Sequence, residues 1–168
     1  RTAQIVNKEL SMVQKKDLQI AEKQAIARYL KARGMAYQDY GTRDVDRCDY
    51  PIYGYQAARA VADGICDKGI LCCGTGVGIS LAANKVHGVR CVCCSEPFSA
   101  QASRRHNDTN MLALGSRVVG EELAEMIVDV WLDASYEGGR HARRVEQLAR
   151  IEKGLTPWKK ETADALYE

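Results

Sequence analysis

The chain has 168 residues, of which 46% are hydrophobic and 27% are charged, a balance that indicates one folded domain over residues 1–168 and excludes a disordered chain. Its 24 Lys and Arg residues against 22 Asp and Glu leave a net charge of +2, which is too small for a dedicated nucleic-acid-binding protein. No apolar run approaches the roughly 20 residues of a membrane-spanning helix and no secretory signal opens the chain, so we expect a cytoplasmic protein without a membrane partner.

Helix-like and strand-like patterns alternate along the chain, as in α/β domains whose sheet is mostly parallel. Within residues 1–13, segments 4–6 and 10–13 could each be a strand, but polar residues interrupt both. The pattern then predicts a helix at 18–30, a strand at 35–40, a helix at 53–63, a strand at 69–73 and a helix at 79–85. It continues with a strand at 89–94, a helix at 99–106, a strand at 111–115 and helices at 123–134 and 141–153. We predict a Rossmann-like, three-layer αβα fold with a mostly parallel sheet of about five strands.

The seven cysteines predict reduced thiols in a cytosol, since their number is odd and five of them lie in predicted buried strands. They are Cys48, Cys66, Cys72, Cys73, Cys91, Cys93 and Cys94. Cys91 and Cys94 form a C-x-x-C, but no second pair at zinc-ligand spacing exists and neighbouring strand residues point to opposite faces. We therefore predict no metal site, and a redox or metal-binding protein built on the cysteines is kept as a third interpretation.

A glycine-rich segment, CGTGVG at 73–78, joins a predicted buried strand to a predicted helix. Ligands of parallel sheets collect at the carboxyl ends of the strands, and glycines let backbone N–H groups approach an oxyanion at a helix start. The pKa of a thiol falls at such a helix entrance, which makes Cys73 a candidate reactive thiolate. The same spacing fits a tight turn with Cys73 in the core, and both interpretations stay open on spacing alone.

Two further clusters carry groups that could meet a substrate. Segment 95–108 follows the next predicted strand, so we expect it at the same carboxyl edge, where His106 and Asn107 could supply a near-neutral acid and an amide. His106 could equally be a cation at a helix C-terminus. Arg140 and Arg144 lie one helical turn apart and suit a phosphate dianion, although a solvated basic face has the same spacing.

From Gly34 to about Lys153 the chain resembles the ribose/galactose sugar-phosphate isomerase family, which includes ribose-5-phosphate isomerase B and the galactose-6-phosphate and allose-6-phosphate isomerases. The matching strings are DYP at 49–51, CGTGVGIS at 73–80, AANK at 82–85, CSEP at 94–97, SAQ at 99–101, HNDTN at 106–110, GSRVVG at 115–120 and YEGGRH at 136–141. They occur in order and without large gaps, a combination far more specific than any one motif.

The resemblance implies an aldose–ketose isomerase of carbohydrate metabolism, as in the pentose phosphate pathway, that needs no metal and no organic cofactor. It implies that Cys73 is the base that moves the proton, that Thr75 belongs to the catalytic set, and that His106 is the acid that opens the sugar ring. The substrate-binding residues that it implies are Gly74, Gly76, Val77 and Gly78 on the enediolate oxygen, Asn107 and Tyr50 on the sugar, and Arg117, Arg140, His141 and Arg144 at the phosphate. It also implies a homodimer or a dimer of dimers with the site shared across the interface.

One departure from the family pattern falls in the N-terminal segment. The family carries Asp-His after its first strand, and an ungapped count from Gly34 puts these positions on Lys16 and Asp17. We therefore treat 1–33 as a divergent segment and 154–168 as a C-terminal extension. An alternative function follows, in which the chain is a non-catalytic or partner subunit of a hetero-oligomeric, galactose-6-phosphate-type isomerase.

Overall fold

Strands and helices alternate along the part of the chain that the computed structural model describes, which is residues 10–13, 17–42 and 48–158. The strands are β1 Leu10–Val13, β2 Tyr37–Asp39, β3 Gly69–Cys73, β4 Cys91–Cys93 and β5 Met111–Gly115. The helices are α1 Asp17–Ala32, α2 Tyr50–Ala62, α3 Val77–Ala83, α4 Pro97–Asn107, α5 Glu121–Asp133 and α6 Arg140–Glu152. Among these helices, none combines the length and the apolar character that a membrane crossing requires.

The five strands form one sheet in the order β2-β1-β3-β5-β4, and every pair of neighbours is parallel. This confirms the predicted fold class. β1 lies inside the sheet, where Met12 pairs with Asp39 of β2 and with Ile70 of β3. The candidate strand at 10–13 is thus present, and parallel pairing with a neighbour on each side stabilises it although Ser11 interrupts its apolar sequence. The other candidate strand, at 4–6, lies outside the described residues.

β3 and β5 form the centre of the fold and are buried at every position. Because side chains alternate along a strand, the two faces of the sheet carry separate cores. Ile70 and Cys72 pack with Trp131 on the face covered by α1, α4 and α5, whereas Leu71 and Cys73 pack on the face covered by α2 and α3. Cys72 and Cys73 therefore point to opposite faces, and of the two only Cys73 lies on the face of the glycine-rich segment.

The ends of several elements differ from the predicted bounds. α2 and α4 begin earlier than predicted because Pro51 and Pro97 stand in their first turns, where a missing N–H costs nothing. The Glu96 carboxylate also accepts a hydrogen bond of 2.8 Å from the Ser99 N–H at the start of α4. β2 and β4 are shorter than predicted, since each lies at an edge of the sheet and pairs on one side only.

Two charged residues of the divergent segment are buried on α1. Lys23 donates hydrogen bonds of 2.6 Å to the Asp39 carboxylate and 3.1 Å to the Thr42 carbonyl. Glu22 is 3% exposed, and neither of its carboxyl oxygens has a partner at ordinary hydrogen-bond geometry. Burial raises the pKa of Glu22 to about 7, and the Cys72 thiol beside it offsets this only in part. Glu22 therefore keeps its proton in the folded chain up to about pH 7.

We expect Glu22 to lower the stability of the folded chain as the pH rises from about 4.5 to about 7. Below that range Glu22 is protonated in the folded and the unfolded chain alike, and within it only the folded chain keeps the proton. The loss amounts to about 3 kcal/mol in the free energy of unfolding. Glu22→Leu should remove this slope and be the more stable protein above pH 7, as urea unfolding across pH would show. Glu122→Leu, at an exposed position of α5, is the matched control and should keep the slope.

Candidate active site

The first half of the candidate site lies at the carboxyl edge of the sheet, around Cys73. This residue ends β3 and is 8% exposed. Its carbonyl accepts a hydrogen bond of 2.9 Å from the Ser116 N–H, and the Gly74 carbonyl accepts one of 3.1 Å from the Arg117 N–H. The segments after β3 and β5 are thus bonded to each other, and the structure brings Arg117 to Cys73 and the glycine-rich loop rather than to the other predicted phosphate arginines.

The loop at 74–78 is shaped by its glycines and by the groups packed on it. Gly76 has a φ of 77°, a left-handed conformation that favours glycine, and it directly precedes α3. The Val77 N–H donates to the Thr75 hydroxyl at 3.4 Å. A Cβ on Gly78 would lie 2.7 Å from Cζ of Tyr50, so only glycine lets this ring close over the loop. The structure therefore brings Tyr50 and Thr75 to the Cys73 half of the site.

Cys93 also contacts this loop, although the sequence did not identify it as a candidate site residue. It ends β4, and its thiol lies 3.5 Å from the Thr75 carbonyl, to which it donates a hydrogen bond. Burial raises the pKa of Cys93, and the nearby Cys73 adds to the rise. The strand order could have predicted this contact, because β4 ends at the same edge of the sheet as β3 and its last side chains therefore meet the same loop.

His106 and Asn107 occupy the other edge of the sheet, and the expectation that they lie at the carboxyl edge was wrong. Segment 95–108 does begin at the carboxyl edge, but α4 runs back along the sheet, and its 11 residues span about 16 Å. The Asn107 carbonyl accepts a hydrogen bond of 3.0 Å from Nε of Arg90, the residue before β4. Within one chain the candidate acid is therefore remote from Cys73.

His106 belongs to a cluster with His141 and Glu137. The two imidazole rings are stacked, with centroids 4.2 Å apart and planes within 9°. Oε2 of Glu137 lies 3.8 Å from Nε2 of each histidine. Arg105 binds Oε1 of Glu137 at 2.5 Å and is the main cause that lowers the pKa of this carboxylate. Partial removal from water lowers the pKa of His141, and His106 and Arg140 lower it further.

Glu137 was not among the predicted site residues, although it stands inside the YEGGRH string. Its backbone N–H donates a hydrogen bond of 3.0 Å to the Arg105 carbonyl, which fixes segment 134–139 against α4. The first turn of α6 follows at once, so Arg140 and Arg144 lie on this side, with the Arg144 guanidinium 3.2 Å from the Arg140 carbonyl. The predicted phosphate arginines are thus divided between the two edges, because Arg117 lies at the other.

A cavity of about 650 Å³ opens between α6 and the segment before β4. Asn107, Arg90 and Leu148 line it, whereas Cys73 and the glycine-rich loop do not. This cavity therefore contains no part of the Cys73 half of the candidate site.

The cysteines do not assemble into a metal site in the described part of the chain. Cys91 and Cys94 belong to cores on opposite faces of the sheet, as the strand periodicity predicts. Among residues 10–13, 17–42 and 48–158, a set of three potential metal ligands within reach of one another occurs at His106, Glu137 and His141. The interpretation of a metal-binding protein built on cysteines therefore has no geometric support.

Residues 12–148 match the family described as Ribose/Galactose Isomerase. The chain belongs to this family. It is 62% identical over 131 residues to ribose-5-phosphate isomerase B of Escherichia coli, covering 78% of this chain and 88% of that protein. The structure of Clostridium thermocellum ribose-5-phosphate isomerase B is similar, with a TM-score of 0.83 and 48% identity over 86% of this chain and 98% of that one. The galactose-6-phosphate isomerase subunit LacB of Clostridium acetobutylicum is 40% identical over 136 residues, 79% of each protein. The resemblance inferred from the motifs is confirmed.

Proposed function

We propose that this chain is an aldose–ketose isomerase that interconverts ribose 5-phosphate and ribulose 5-phosphate. The observation that carries the proposal is the position of Cys73, at the end of a buried strand and against a glycine-rich loop, in a chain of the Ribose/Galactose Isomerase family. The substrate follows the E. coli relative, which is named ribose-5-phosphate isomerase B.

In the proposed reaction the Cys73 thiolate removes the proton from C2 of the open-chain aldose. Electron density moves onto the carbonyl oxygen at C1, giving an enediolate that the backbone N–H groups of Gly74, Gly76, Val77 and Gly78 stabilise. The proton of the C2 hydroxyl then passes to O1, Cys73 returns its own proton to C1, and the carbonyl group of the ketose forms at C2. His106 transfers the proton that opens the sugar ring, with Asn107 and Tyr50 on the sugar hydroxyls. Thr75, whose hydroxyl accepts from the Val77 N–H, positions the loop.

The two halves of this machinery can act on one substrate only if they come from two chains. An acid and a base must each reach the same small sugar at hydrogen-bond distance, and α4 separates their edges by about 16 Å. Large apolar side chains are exposed on the adjacent helices α2 and α3, namely Ile52, Tyr55, Val77 and Leu81. Such a patch beside Cys73 suits a second copy of the chain. We therefore propose a homodimer, or a dimer of dimers, in which His106 of one chain meets Cys73 of the other.

Arg144→Ala should weaken the binding of a substrate-like sugar phosphate about tenfold or more. Arg117, Arg140 and Arg144 are proposed to bind the phosphate, with His141 beside them, and a charge-assisted hydrogen bond contributes roughly 1.5–3 kcal/mol. Arg144→Lys should recover only part of the loss, because an ammonium group cannot form the two-pronged contact. Calorimetry measures both affinities. Arg143→Ala, on the same exposed turn, is the control, and an equal loss there would exclude a specific role for Arg144.

A second candidate function is that of a partner subunit in a hetero-oligomeric isomerase. Two observations favour it: the relative named as a galactose-6-phosphate isomerase subunit, and the absence of Asp-His at positions 16 and 17. The Asp-His pair would orient the sugar for ring opening and proton transfer, whereas the phosphate contacts lie on other segments. A partner subunit would therefore bind the phosphate normally and turn over slowly when alone.

A panel of aldose phosphates of five and six carbons, tested for ketose production by the purified chain alone, decides between the two functions. The isomerase proposal expects turnover of ribose 5-phosphate above that of galactose 6-phosphate. Binding without turnover on any sugar would favour the partner subunit. No detectable binding by the intact homomer would exclude both functions.

We place this activity in the cytoplasm. The proposed base must be a free thiol, and Cys73 and its neighbours Cys72 and Cys93 are free cysteines in the structure. A reducing compartment keeps such thiols in that state.

A further inference from the structure

Three potential metal ligands, two histidines and a glutamate, lie together at the amino edge of the sheet, and phosphate binding does not require such a set. His106 and His141 offer ring nitrogens, and Glu137 offers a carboxylate oxygen between them. Two imidazoles and one carboxylate are the ligands of several catalytic zinc sites, and this donor set suits borderline first-row cations. Arginine and lysine side chains alone would be enough to bind a phosphate group.

The geometry is close to that of a bound ion. Oε2 of Glu137 lies 3.8 Å from Nε2 of His106 and 3.8 Å from Nε2 of His141. Ligands about 2.1 Å from a tetrahedral ion are roughly 3.4 Å from one another, so Glu137 must move closer to each histidine by about half an ångström. The ligand nitrogens of the two histidines lie within 4.8 Å of each other. The stacked rings must also turn out of their parallel arrangement for both nitrogens to face one ion.

The surroundings of the cluster orient the carboxylate toward the histidines. Arg105 binds Oε1 of Glu137, which leaves Oε2 directed at the two rings. An outer partner of this kind fixes a metal ligand in position. The Glu137 backbone is bonded to Arg105, and the His141 N–H donates to the Gly138 carbonyl at 3.0 Å, so the ligands are anchored on α4 and at the start of α6.

The positive charges of the nearby arginines repel a cation and lower the affinity of the cluster for it. Nε of Arg140 lies 3.5 Å from Nε2 of His141 and must move aside, which its exposure allows. Arg144 lies on the next turn of α6 and adds repulsion. Binding is therefore expected to be reversible and readily removed by a chelator, unlike that of a resident cofactor.

We propose that His106, Glu137 and His141 form an inhibitory site for a divalent first-row transition metal of the Zn²⁺ type. The binding of the ion does not depend on the proposed function. The inhibition does, because a metal on His106 removes the acid that the ring-opening step uses.

Binding is tested by titrating the purified homomer with Co²⁺, whose absorption spectrum reports its ligands. The proposal expects visible bands of a four- or five-coordinate ion without the near-ultraviolet band of a thiolate ligand. Glu137→Gln should weaken this binding at least tenfold, since the loss of even an outer partner costs about 10- to 100-fold. His141→Ala should abolish the bands. His87→Ala is the matched control, because His87 is an exposed histidine 4.0 Å from Glu152 that has no second histidine, and it should bind as the parent does.

A thiolate band, or binding that is equal in Glu137→Gln and the parent, would overturn the site. Inhibition is measured separately, as the loss of each variant's own isomerase activity on adding Zn²⁺. The proposal expects inhibition that a chelator reverses and that weakens in Glu137→Gln by the same factor as Co²⁺ binding. If Co²⁺ bound at the cluster but Zn²⁺ did not inhibit, the metal site would be supported and its inhibitory role would be contradicted. If the proposed function itself were wrong, the metal-free parent would show no isomerase activity.

Discussion

Cys73→Ala should abolish isomerisation while sugar-phosphate binding stays close to that of the parent. A positioned general base contributes about 10²–10⁴ in rate, and alanine offers no group that can take the proton from C2. Phosphate affinity is proposed to come from arginines on other segments, so its contacts do not change. The measurements are kcat for ketose formation and the dissociation constant of a substrate-like phosphate. A fall in kcat/KM that comes from KM alone would contradict the role of base.

Cys72→Ala is the matched control, one residue earlier on the same strand. Cys72 is fully buried in the core with Trp131, on the face of the sheet away from the glycine-rich loop. Its replacement should lower thermal stability somewhat and leave kcat near that of the parent. If Cys72→Ala removed activity while Cys73→Ala kept it, the assignment of the base would be reversed.

Much of the fold was predictable because its central strands, β3 and β5, are continuous apolar runs in the sequence. β5 occurs at the predicted residues, and the alternation of Ile70, Leu71, Cys72 and Cys73 between two cores follows from strand periodicity alone. β1 was predicted only as one of two candidate strands, because polar residues interrupt its sequence and its parallel pairing with β2 and β3 is not visible in a side-chain pattern. Sequence patterns report side-chain burial and carry little information on backbone pairing.

The sequence named the candidate residues, and the resemblance implied a site shared between two chains, but the expected edge of the sheet was wrong for His106 and Asn107. Motifs identified Cys73, His106 and Arg144, because their residue types suit the chemistry wherever they stand. The edge on which His106 lies follows from the direction of α4, because a helix between two parallel strands carries the chain from the carboxyl end of one strand back to the amino end of the next. Glu137 and Cys93 were not named as candidates because each lies beside a group, the imidazole pair or the Thr75 carbonyl, that only the folded chain brings near.

Mixing two inactive variants, Cys73→Ala and the double variant Arg140→Ala/Arg144→Ala, should restore activity. In a symmetric dimer with random exchange, half of the dimers are mixed, and each mixed dimer has one intact site, which gives about a quarter of the parent's activity. Cys73→Ala mixed with His106→Ala should restore activity to the same extent, since His106 lies at the same edge as Arg140. The measurement is ketose formation after the subunits have exchanged, with exchange followed on differently tagged chains.

Arg117 supplies the matched control, because it lies at the same edge as Cys73 in one chain, with its N–H bonded to the Gly74 carbonyl. Cys73→Ala mixed with Arg117→Ala leaves every site with one defect or the other, so this mixture should not recover activity beyond what Arg117→Ala has alone. Activity that returns in mixtures with the Arg140→Ala/Arg144→Ala or His106→Ala variant, but not with Arg117→Ala, would indicate a shared site. In such a site, Cys73 and Arg117 come from one chain, and His106 and Arg140 come from the other. If exchange were demonstrated and no mixture recovered activity, the acid and the phosphate arginines would have to reach Cys73 within a single chain.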